Sequence, residues 1–267
     1  MAAPDTSTTA LPRGRTMLIT GTTGIAAATV RLAVERGWRV FALGIDDASG
    51  AALAESHPDV CFRRTDVTRA DEVSAGVDAC VATWSRIDAL FNVVGISGRR
   101  FGDGPLHECS DEGWDVTFEH NTRSTFLVAR AVLRHMLSQP AAPDRSRGAI
   151  LNMASALAAS PEPHHFATHA YAASKGAITA LTRAMAAYYA ESGIRVNAIA
   201  PGLVATPMSA RAQGSAEVMA TVRARQPLAD GCISPDDVAS TALFLLGQDS
   251  AQITGQVVTV DGGWSVR

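Results

Sequence analysis

From Thr16 onward, short apolar runs alternate with longer stretches in which hydrophobic residues recur at helical spacing. The strand-like runs lie at 17–20, 39–43, 60–62, 89–94, 149–153, 195–199 and 256–260. The helical patterns lie at about 24–36, 70–85, 110–138, 169–192 and 235–247. Several runs are apolar throughout, which is typical of strands buried on both faces of a parallel sheet. The alternation predicts a single α/β domain with a doubly wound, seven-stranded parallel sheet flanked by helices.

Length, charge and cysteine usage restrict the domain organisation and the class of partner. A chain of 267 residues can bury a large core, and its net charge of −3 argues against a nucleic-acid partner. We expect residues 1–15 to form a flexible leader and residues 16–267 to form the domain, with a lid at about 202–232 where no clear period is found. Four well-separated cysteines and the lack of a membrane-spanning apolar run favour a cytoplasmic protein without a membrane partner.

A glycine-rich turn follows the first predicted strand and opens the first predicted helix. Residues 20–26 read TGTTGIA. Glycines at such a turn let the backbone bend sharply and approach a pyrophosphate that rests on the helix N-terminus. The turn therefore predicts a dinucleotide-binding site that includes Gly21, Thr23, Gly24 and Ile25, although many other strand–helix turns also use glycine.

The end of the second predicted strand bears on which dinucleotide binds. A carboxylate there would accept hydrogen bonds from both ribose hydroxyls and repel a 2′-phosphate. Asp46 and Asp47 come one or two residues late for that role, and either could instead cap a helix that starts near Ala48. Because no Arg or Lys lies in this loop, Asp46 favours NAD as the cofactor, and NADP stays open.

The chain contains one lysine, Lys175, among its 23 lysines and arginines. It follows Tyr171 by four residues in a predicted helix, so the two side chains share one face. A phenol has a pKa near ~10, and a neighbouring ammonium would lower that pKa so that Tyr171 could exchange a proton with a substrate oxygen. The alternative is that Lys175 is a surface remnant of an arginine-rich composition and that the pair has no catalytic role.

Polar residues at the ends of other strands strengthen the catalytic hypothesis. Ser155 follows the fifth predicted strand and can donate a hydrogen bond to a carbonyl oxygen. Asn92 and Gly95 lie at the end of the fourth strand, and Asn121 lies in the helix that follows. The segment 201–206 comes after the sixth strand. Ligands bind at the carboxyl ends of strands in open α/β sheets, so these residues are expected to meet at one site.

Taken together, these motifs resemble the short-chain dehydrogenase/reductase family over about residues 16–264. The resemblance implies a Rossmann fold, a nicotinamide cofactor and reversible interconversion of an alcohol and a carbonyl compound. It implies that Tyr171 is the general acid/base and that Lys175 lowers its pKa and holds the nicotinamide ribose. It further implies that Ser155 orients the substrate oxygen and that Asn121 supports a water-linked proton relay near Lys175.

The same resemblance implies a set of cofactor contacts beyond the glycine-rich turn. Asp66 and Val67 match the family's adenine contact, and Val204 and Thr206 match the residues at the carboxamide side of the nicotinamide. The segment 92–95 matches the strand-four motif, although Val93 stands where a second Asn is usual. The matched residues are Asp66, Val67, Asn92, Val94, Gly95, Pro201, Gly202, Val204 and Thr206, besides Tyr171 and Lys175.

Two departures from the family pattern fall at the predicted site. The usual turn reads TGxxxGxG, whereas TGTTGIA is one residue shorter and has Ala26 in place of the third glycine, which predicts a weakened or shifted cofactor pose. The separation of Ser155 and Tyr171 is longer than usual, with His164, His165 and His169 in or near the insertion. A metal site, a substrate contact and a plain loop are the alternatives there, and two prolines without a nearby Cys argue against the metal.

The predicted function is an NAD(P)-dependent oxidoreductase that interconverts a small-molecule secondary alcohol and a ketone. The alternatives are a 3-oxoacyl thioester reductase that uses NADPH and a non-catalytic, nucleotide-binding regulatory protein. Arg99 and Arg100 could meet an anionic substrate or lie in a solvated loop. The apolar residues of the lid could contact substrate or form the lid's own core; they are Leu203, Met208, Met219, Val222 and Leu228.

The resemblance also implies a homo-oligomer, a tetramer or a dimer, built partly on the long helices at about 110–138 and 169–192. The apolar content of these helices is compatible with an interface between copies and equally with packing on the sheet.

Overall fold

Seven parallel strands form one sheet in a computed structural model that describes residues 14–267. The strands are β1 (Thr16–Thr20), β2 (Arg39–Gly44), β3 (Val60–Arg64), β4 (Ala89–Asn92), β5 (Gly148–Met153), β6 (Ile194–Pro201) and β7 (Val257–Val260). The sheet order is β3-β2-β1-β4-β5-β6-β7. The chain starts in the middle of the sheet, winds to one edge and then to the other, so the predicted doubly wound α/β fold is confirmed.

Nine α-helices accompany the strands in the part of the chain that the structure describes. They are α1 (Ile25–Glu35), α2 (Asp47–Ser56), α3 (Ala70–Trp84), α4 (Asp111–Phe118), α5 (Ser124–Ser138), α6 (His169–Tyr189), α7 (Ala210–Gln213), α8 (Ala216–Arg225) and α9 (Pro235–Leu246). A π-helical turn (Glu119–Arg123) joins α4 to α5. None of the helices in residues 14–267 is long and apolar enough to cross a membrane.

The hydrophobic core lies on both faces of the sheet. Residues of α1 and α9 pack with the strands on one face, where Val30, Trp38 and Leu246 are buried. Residues of α3, α5 and α6 cover the other face, where Val77 and Met136 are buried. The strands are therefore apolar on both sides, which is why their sequences read as continuous hydrophobic runs.

The structure corrects the predicted element pattern in two places. The first is α2, which follows β2 with Asp46 as its N-cap, so Asp46 takes the helix-capping role that the sequence left open beside ribose binding; its Oδ1 atom accepts a hydrogen bond from the Ser49 backbone at 2.7 Å. The second is the segment 202–232, which contains α7 and α8 where an aperiodic lid was expected. Of the expected leader at residues 1–15, positions 1–13 lie outside the described residues.

The base of the segment 202–232 is fixed by one buried side chain. The Gln226 Oε1 atom accepts a hydrogen bond from the Leu203 backbone at 2.5 Å, and its Nε2 atom donates to Leu203 and Gly231 carbonyls. Val222 is buried and Met219 packs beside it, while Leu203 and Met208 face the cavity described below and Leu228 is exposed. The apolar residues of this segment therefore divide between core, cavity and surface.

Candidate active site

A cavity of about 340 Å³ opens at the carboxyl edge of the sheet, between the ends of β1, β4, β5 and β6. It is closed on the outer side by the start of α6 and by α7. Most of the site residues predicted from sequence line it, as expected for an open α/β sheet. These are Gly21, Thr23, Gly24, Ile25, Val94, Gly95, Ser155, Tyr171, Lys175, Pro201, Gly202, Val204 and Thr206.

The glycine-rich turn leaves the positive end of α1 open toward this cavity. Gly21 and Gly24 have φ angles of 96° and 54°, which side-chain-bearing residues rarely adopt. No side chain caps α1 and no acidic residue lies in its first turn. The Ala26 and Ala27 N–H groups donate to the Thr23 carbonyl, so it is the dipole of α1 that favours a negatively charged group at this point. The turn thus fits the pyrophosphate of a dinucleotide.

Two glycines permit close approach of the cavity walls. A Cβ atom on Gly24 would lie 2.9 Å from the Thr206 methyl group, so the turn and the segment after β6 meet here. A Cβ atom on Gly95 would lie 2.7 Å from Asn121 Oδ1 and 3.1 Å from Lys175 Nζ. The end of β4 therefore passes directly over the lysine and the asparagine.

The ammonium of Lys175 is buried, with 2% of the residue exposed. Its Nζ atom donates a hydrogen bond to the Met153 carbonyl at 2.9 Å, and no acidic side chain within residues 14–267 forms a salt bridge with it. Burial lowers the pKa of Lys175 to about 8 because the charged form has lost its hydration. A solvated surface lysine is therefore excluded.

The phenol of Tyr171 has a pKa that burial raises, and the effect of a hydrogen bond from Ser155 acts in the opposite direction. Lys175, which is expected from sequence to lower this pKa, is not among the groups that shift it in the protein without cofactor. The physical reason is that Lys175 Nζ lies 5.7 Å from the centre of the Tyr171 ring and donates its hydrogen bond to the Met153 carbonyl. Loss of hydration dominates over a neighbouring charge at this distance.

Asp103 holds the backbone at the start of α6, where Tyr171 lies. Its two carboxylate oxygens accept hydrogen bonds from the Ala170 and Tyr171 backbone N–H groups at 3.0 and 2.9 Å. The carboxylate is buried, and burial raises its pKa. Asp103 thereby fixes the backbone of Tyr171, a role that no motif in the sequence indicates.

Asn121 lies behind the cavity wall, in the π-helical turn between α4 and α5. Its Oδ1 atom accepts a hydrogen bond from the Ile96 backbone at 2.8 Å. Its Nδ2 atom donates to the Ile96 carbonyl at 3.1 Å and to Ser174 Oγ at 2.9 Å. Asn121 therefore ties the loop after β4 to α6, next to Lys175.

Four residues predicted as cofactor contacts lie outside the cavity lining. Asp46 caps α2, and Asp66 Oδ1 accepts hydrogen bonds from the backbone and hydroxyl of Thr68. Asn92 donates to Asn152 at 3.0 Å inside the sheet. Val67, the fourth, is buried among the core residues beside α3.

The insertion before α6 does not bring histidine side chains into the cavity. Phe166 and Thr168 of this segment line it, whereas His164, His165 and His169 do not. Glu162 is buried and accepts hydrogen bonds from the backbones of residues 164, 165 and 166, which fixes the loop. No group of three His, Cys, Asp or Glu residues within 14–267 could hold a metal ion.

Arg211, at the start of the segment's short helix α7, is a cavity-lining cation that sequence reasoning missed. Arg99, which the sequence left open between substrate contact and solvated loop, also lines the cavity. No local pattern relates two residues so far apart in the chain, so only the fold brings them together.

Comparison with known proteins places the chain among dehydrogenases. The family model described as "Enoyl-(Acyl carrier protein) reductase" matches residues 19–265. The cis-4-hydroxycyclohexanecarboxylate dehydrogenase of Sinomonas cyclohexanicum is 36% identical, covering 94% of this chain and 96% of the relative. The 2-(R)-hydroxypropyl-CoM dehydrogenase of Xanthobacter autotrophicus is 36% identical, covering 94% and 98%.

A solved structure agrees with this placement. The short-chain type dehydrogenase/reductase from Mycobacterium ulcerans superposes with a TM-score of 0.85 at 29% identity, covering 95% of this chain and 90% of that one. Relatives of this kind are NAD(P)-dependent oxidoreductases that act on CH–OH groups, and this chain is an enzyme of the same kind. The chain belongs to the short-chain dehydrogenase/reductase family.

Proposed function

We propose that this protein interconverts a small-molecule secondary alcohol and a ketone with NAD as the cofactor and Tyr171 as the general acid/base. One observation carries the proposal. Ser155, Tyr171 and a buried Lys175 line the same cavity as the start of α1, which has no side-chain cap. A proton-transferring group and an anion-binding helix end therefore share one enclosed space.

The nicotinamide, when bound, supplies hydride acceptance or donation, and the protein's part is to hold the reactants and move a proton. The turn at 21–25 would hold the pyrophosphate, and Val204 and Thr206 would hold the nicotinamide. Ser155 donates a hydrogen bond to the substrate oxygen. Tyr171 gives that oxygen a proton in reduction and removes one from the hydroxyl in oxidation.

Lys175 and Asn121 support this proton transfer. The Lys175 ammonium would stabilise the phenolate when the reaction forms it, and would hold the nicotinamide ribose. Asn121 connects the loop after β4 to α6 beside Lys175, through hydrogen bonds to Ile96 and Ser174. Because burial raises the pKa of Tyr171, the phenol is protonated at neutral pH, and we expect oxidation of the alcohol to accelerate as pH rises.

The end of β2 supports NAD over NADP. Asp46 and Asp47 follow directly after β2, and a carboxylate in this region would repel a 2′-phosphate, although Asp46 also caps α2. One cation lies close: Arg64 of β3 pairs with Gly44 in the sheet and forms an ion pair with Asp47 at 3.6 Å. The charge of Arg64 is thus already countered, although its presence is the observation that would favour an NADPH-dependent 3-oxoacyl thioester reductase.

The test is to follow NADH and NADPH absorbance with a panel of cyclic and aliphatic ketones, secondary alcohols and 3-oxoacyl thioesters. The relatives support alcohols as substrates, since one is named for a hydroxycyclohexanecarboxylate and another for a hydroxypropyl compound. We expect turnover with NADH on a ketone and little with NADPH. Preference for NADPH and an oxoacyl thioester would favour the alternative, and a lack of turnover with either cofactor would favour a non-catalytic role.

Substitution of the acid/base provides the matched control. Tyr171→Phe should lower kcat by at least about 100-fold, because general acid/base catalysis typically contributes that much. Tyr188→Phe removes a hydroxyl from the same helix at a position that is 77% exposed, and should leave kcat unchanged. Near-normal turnover by the Tyr171 variant would rule out the proposed proton transfer.

A further inference from the structure

Two arginines from distant parts of the chain meet on one wall of the cavity. Arg99 comes from the turn after β4 and Arg211 from α7, and both line the cavity. Both donate to the same acceptor, the His165 carbonyl, through Nη2 atoms at 2.7 Å and 3.3 Å. The two guanidinium groups are therefore brought together over one oxygen atom.

The positive charge of this pair is not countered by a salt bridge. Neither Arg99 nor Arg211 forms one with any acidic residue in the part of the chain that is described. Burial and the charge of Arg211 lower the pKa of Arg99, and Asp103 acts the other way. Both oxygens of Asp103 are already used by the backbone of α6. Two like charges are thus held close, an arrangement that a bound anion would stabilise.

Most hydrogen-bond donors of the pair are left for a ligand. A guanidinium has five N–H groups, and the only side-chain hydrogen bond that each arginine makes within residues 14–267 is the one to His165. Arg211 is exposed, and no Arg99 nitrogen is buried without a partner, so the remaining donors are accessible. The neighbouring wall is apolar, formed by Leu157, Phe166 and Met208.

A purely structural role for the pair, as a clamp on the loop before α6, is not needed. Glu162 already accepts three backbone hydrogen bonds from that loop, including the one from residue 165. Holding the same loop a second time with two guanidinium groups would add repulsion between like charges, although Glu162 alone is a sufficient acceptor. The arrangement is better suited to a planar anion, which two guanidinium groups can bind by parallel hydrogen bonds.

We propose that Arg99 and Arg211 form a carboxylate subsite, and that the physiological substrate is an alcohol or ketone that carries a carboxylate separated from the reacting carbon by an apolar body. This inference rests on the proposed function for the identity of the reaction. It adds the substrate class, with the carboxylate at the arginine pair, the apolar body against Phe166 and Met208, and the reacting oxygen at Ser155 and Tyr171.

The test measures binding, so that it does not depend on turnover. Calorimetry would compare cycloalkane carboxylates of five to ten carbons with their primary amides, which keep the shape and lose the charge. We expect at least one acid to bind about tenfold or more tightly than its amide, as charge-assisted hydrogen bonds to arginine allow. Equal binding of every acid and its amide would overturn the proposal.

Three variants assign the effect to the pair. Arg211→Met and Arg99→Met should each weaken binding of the acid by about tenfold and leave the amide unchanged. Arg100→Met is the matched control, because Arg100 is the neighbour of Arg99, is exposed and lies outside the cavity lining. Arg211 is exposed, so its variant should keep the thermal midpoint even if the Arg99 variant folds poorly. Unchanged acid binding in the Arg211 variant would overturn the proposal.

Turnover of a neutral ketone separates this inference from the proposed function. If a neutral ketone is reduced but acids show no advantage over amides, the oxidoreductase proposal stands and the carboxylate subsite fails. If acids bind through the arginines but no alcohol or ketone is turned over, the subsite stands and the proposed reaction fails.

Discussion

At the scale of single residues, the buried surroundings of Lys175 disfavour its charged form. Its ammonium is buried, receives no carboxylate partner within residues 14–267 and has a pKa lowered from 10.5 to about 8. A depressed pKa means that folding disfavours the charged form, at ~1.4 kcal/mol for each unit. The protein therefore retains a destabilising charge at the site where the proposed chemistry requires one.

This unfavourable burial predicts that removing the charge of Lys175 stabilises the fold, by an amount that depends on pH. In the wild-type protein, the free-energy cost of burying the Lys175 ammonium is present in full below about pH 8. The cost disappears as pH rises from about 8 to 10.5, because the unfolded chain then loses the same proton. We expect Lys175→Met to raise the thermal midpoint near pH 7 by a few degrees, from roughly 2 kcal/mol after loss of the hydrogen bond to Met153. The gain should shrink at pH 10 and activity should be lost.

Lys175→Arg is the companion variant, since it keeps a charge but replaces a compact ammonium with a planar group. We expect it to remain folded and lose most activity. Thermal unfolding by circular dichroism at pH 7 and pH 10 provides the measurement. A Met variant that is less stable than wild type at both values, or an Arg variant with normal turnover, would contradict this account of Lys175.

Residue types and spacing were enough to predict that Ser155, Tyr171 and Lys175 would meet, because each lies at a strand end or on one helix face. The effect of burial on the pKa of Tyr171 could not be predicted from sequence, because burial is a property of the whole fold. Asp103 and Arg211 were missed for a related reason. Their partners lie far away in sequence, and an isolated Asp or Arg in a loop carries no local signal.

At the scale of elements, the start of α1 is shaped by close approach to the segment after β6. Gly24 has φ 54° and ψ −124°, which only glycine adopts at low cost. Its Cα faces the Thr206 side chain, which leaves no room for a methyl group. The shortened turn and this contact together set where a pyrophosphate can lie.

Gly24→Ala should therefore damage cofactor binding more than folding. The added methyl group would lie 2.9 Å from Thr206, and the residue would be strained, so we expect NADH to bind at least about tenfold more weakly. Gly176→Ala is the control, because a Cβ there meets nothing within 4 Å and alanine favours the helix. Calorimetry with NADH measures both, and unchanged binding by the Gly24 variant would contradict the expectation.

The same titration of wild type tests the shortened turn. Binding as tight as in an ordinary relative would show that the missing residue does not weaken the cofactor site.

Elements with a strong apolar period were predicted with their approximate bounds, and weakly amphipathic elements were not. The helix α2 buries only Gly50, so its apolar pattern is weak, and only the possible cap at Asp46 indicated it from sequence. The helices α7 and α8 are short and few of their residues are buried. The π-helical turn at 119–123 could not be predicted from sequence either. The apolar pattern continues across it, and only the backbone hydrogen bonds change there.

At the scale of the whole molecule, α4 and α5 leave aromatic side chains exposed within residues 14–267. Trp114 and Phe126 are exposed on α4 and α5, and Trp114 stacks on Phe118 with ring centres 4.8 Å apart. Exposed aromatic clusters of this kind mark interaction surfaces. We propose that this face joins copies of the chain, in line with the homo-oligomer expected from sequence.

A charge on this face should therefore dissociate the assembly. We expect the double variant Trp114→Glu and Phe126→Glu to sediment at a smaller mass than wild type, since burying two carboxylates in an interface is costly. Leu228→Glu is the control, because Leu228 is exposed in a different part of the surface. A wild-type monomer, or an unchanged mass in the double variant, would contradict the interface.

The fold as a whole was predictable because its sheet is continuous and buried on both faces. Each strand carries its own apolar signal, and parallel pairing with helical crossovers leaves few arrangements open. The shape of the cavity was not predictable. It depends on how the segment 202–232 lies over the strand ends, which is fixed by single contacts such as that of Gln226 with Leu203.

The buried position of Lys175 has a practical consequence for chemistry performed on this protein. Because it is the sole lysine of the sequence, reagents that acylate or cross-link lysine side chains have no surface target. Any such label that appears at position 175 must have entered the cavity. The rate of lysine acylation at a fixed pH therefore reports access to the cavity without any substrate, and its slowing on addition of a ligand would report occupancy.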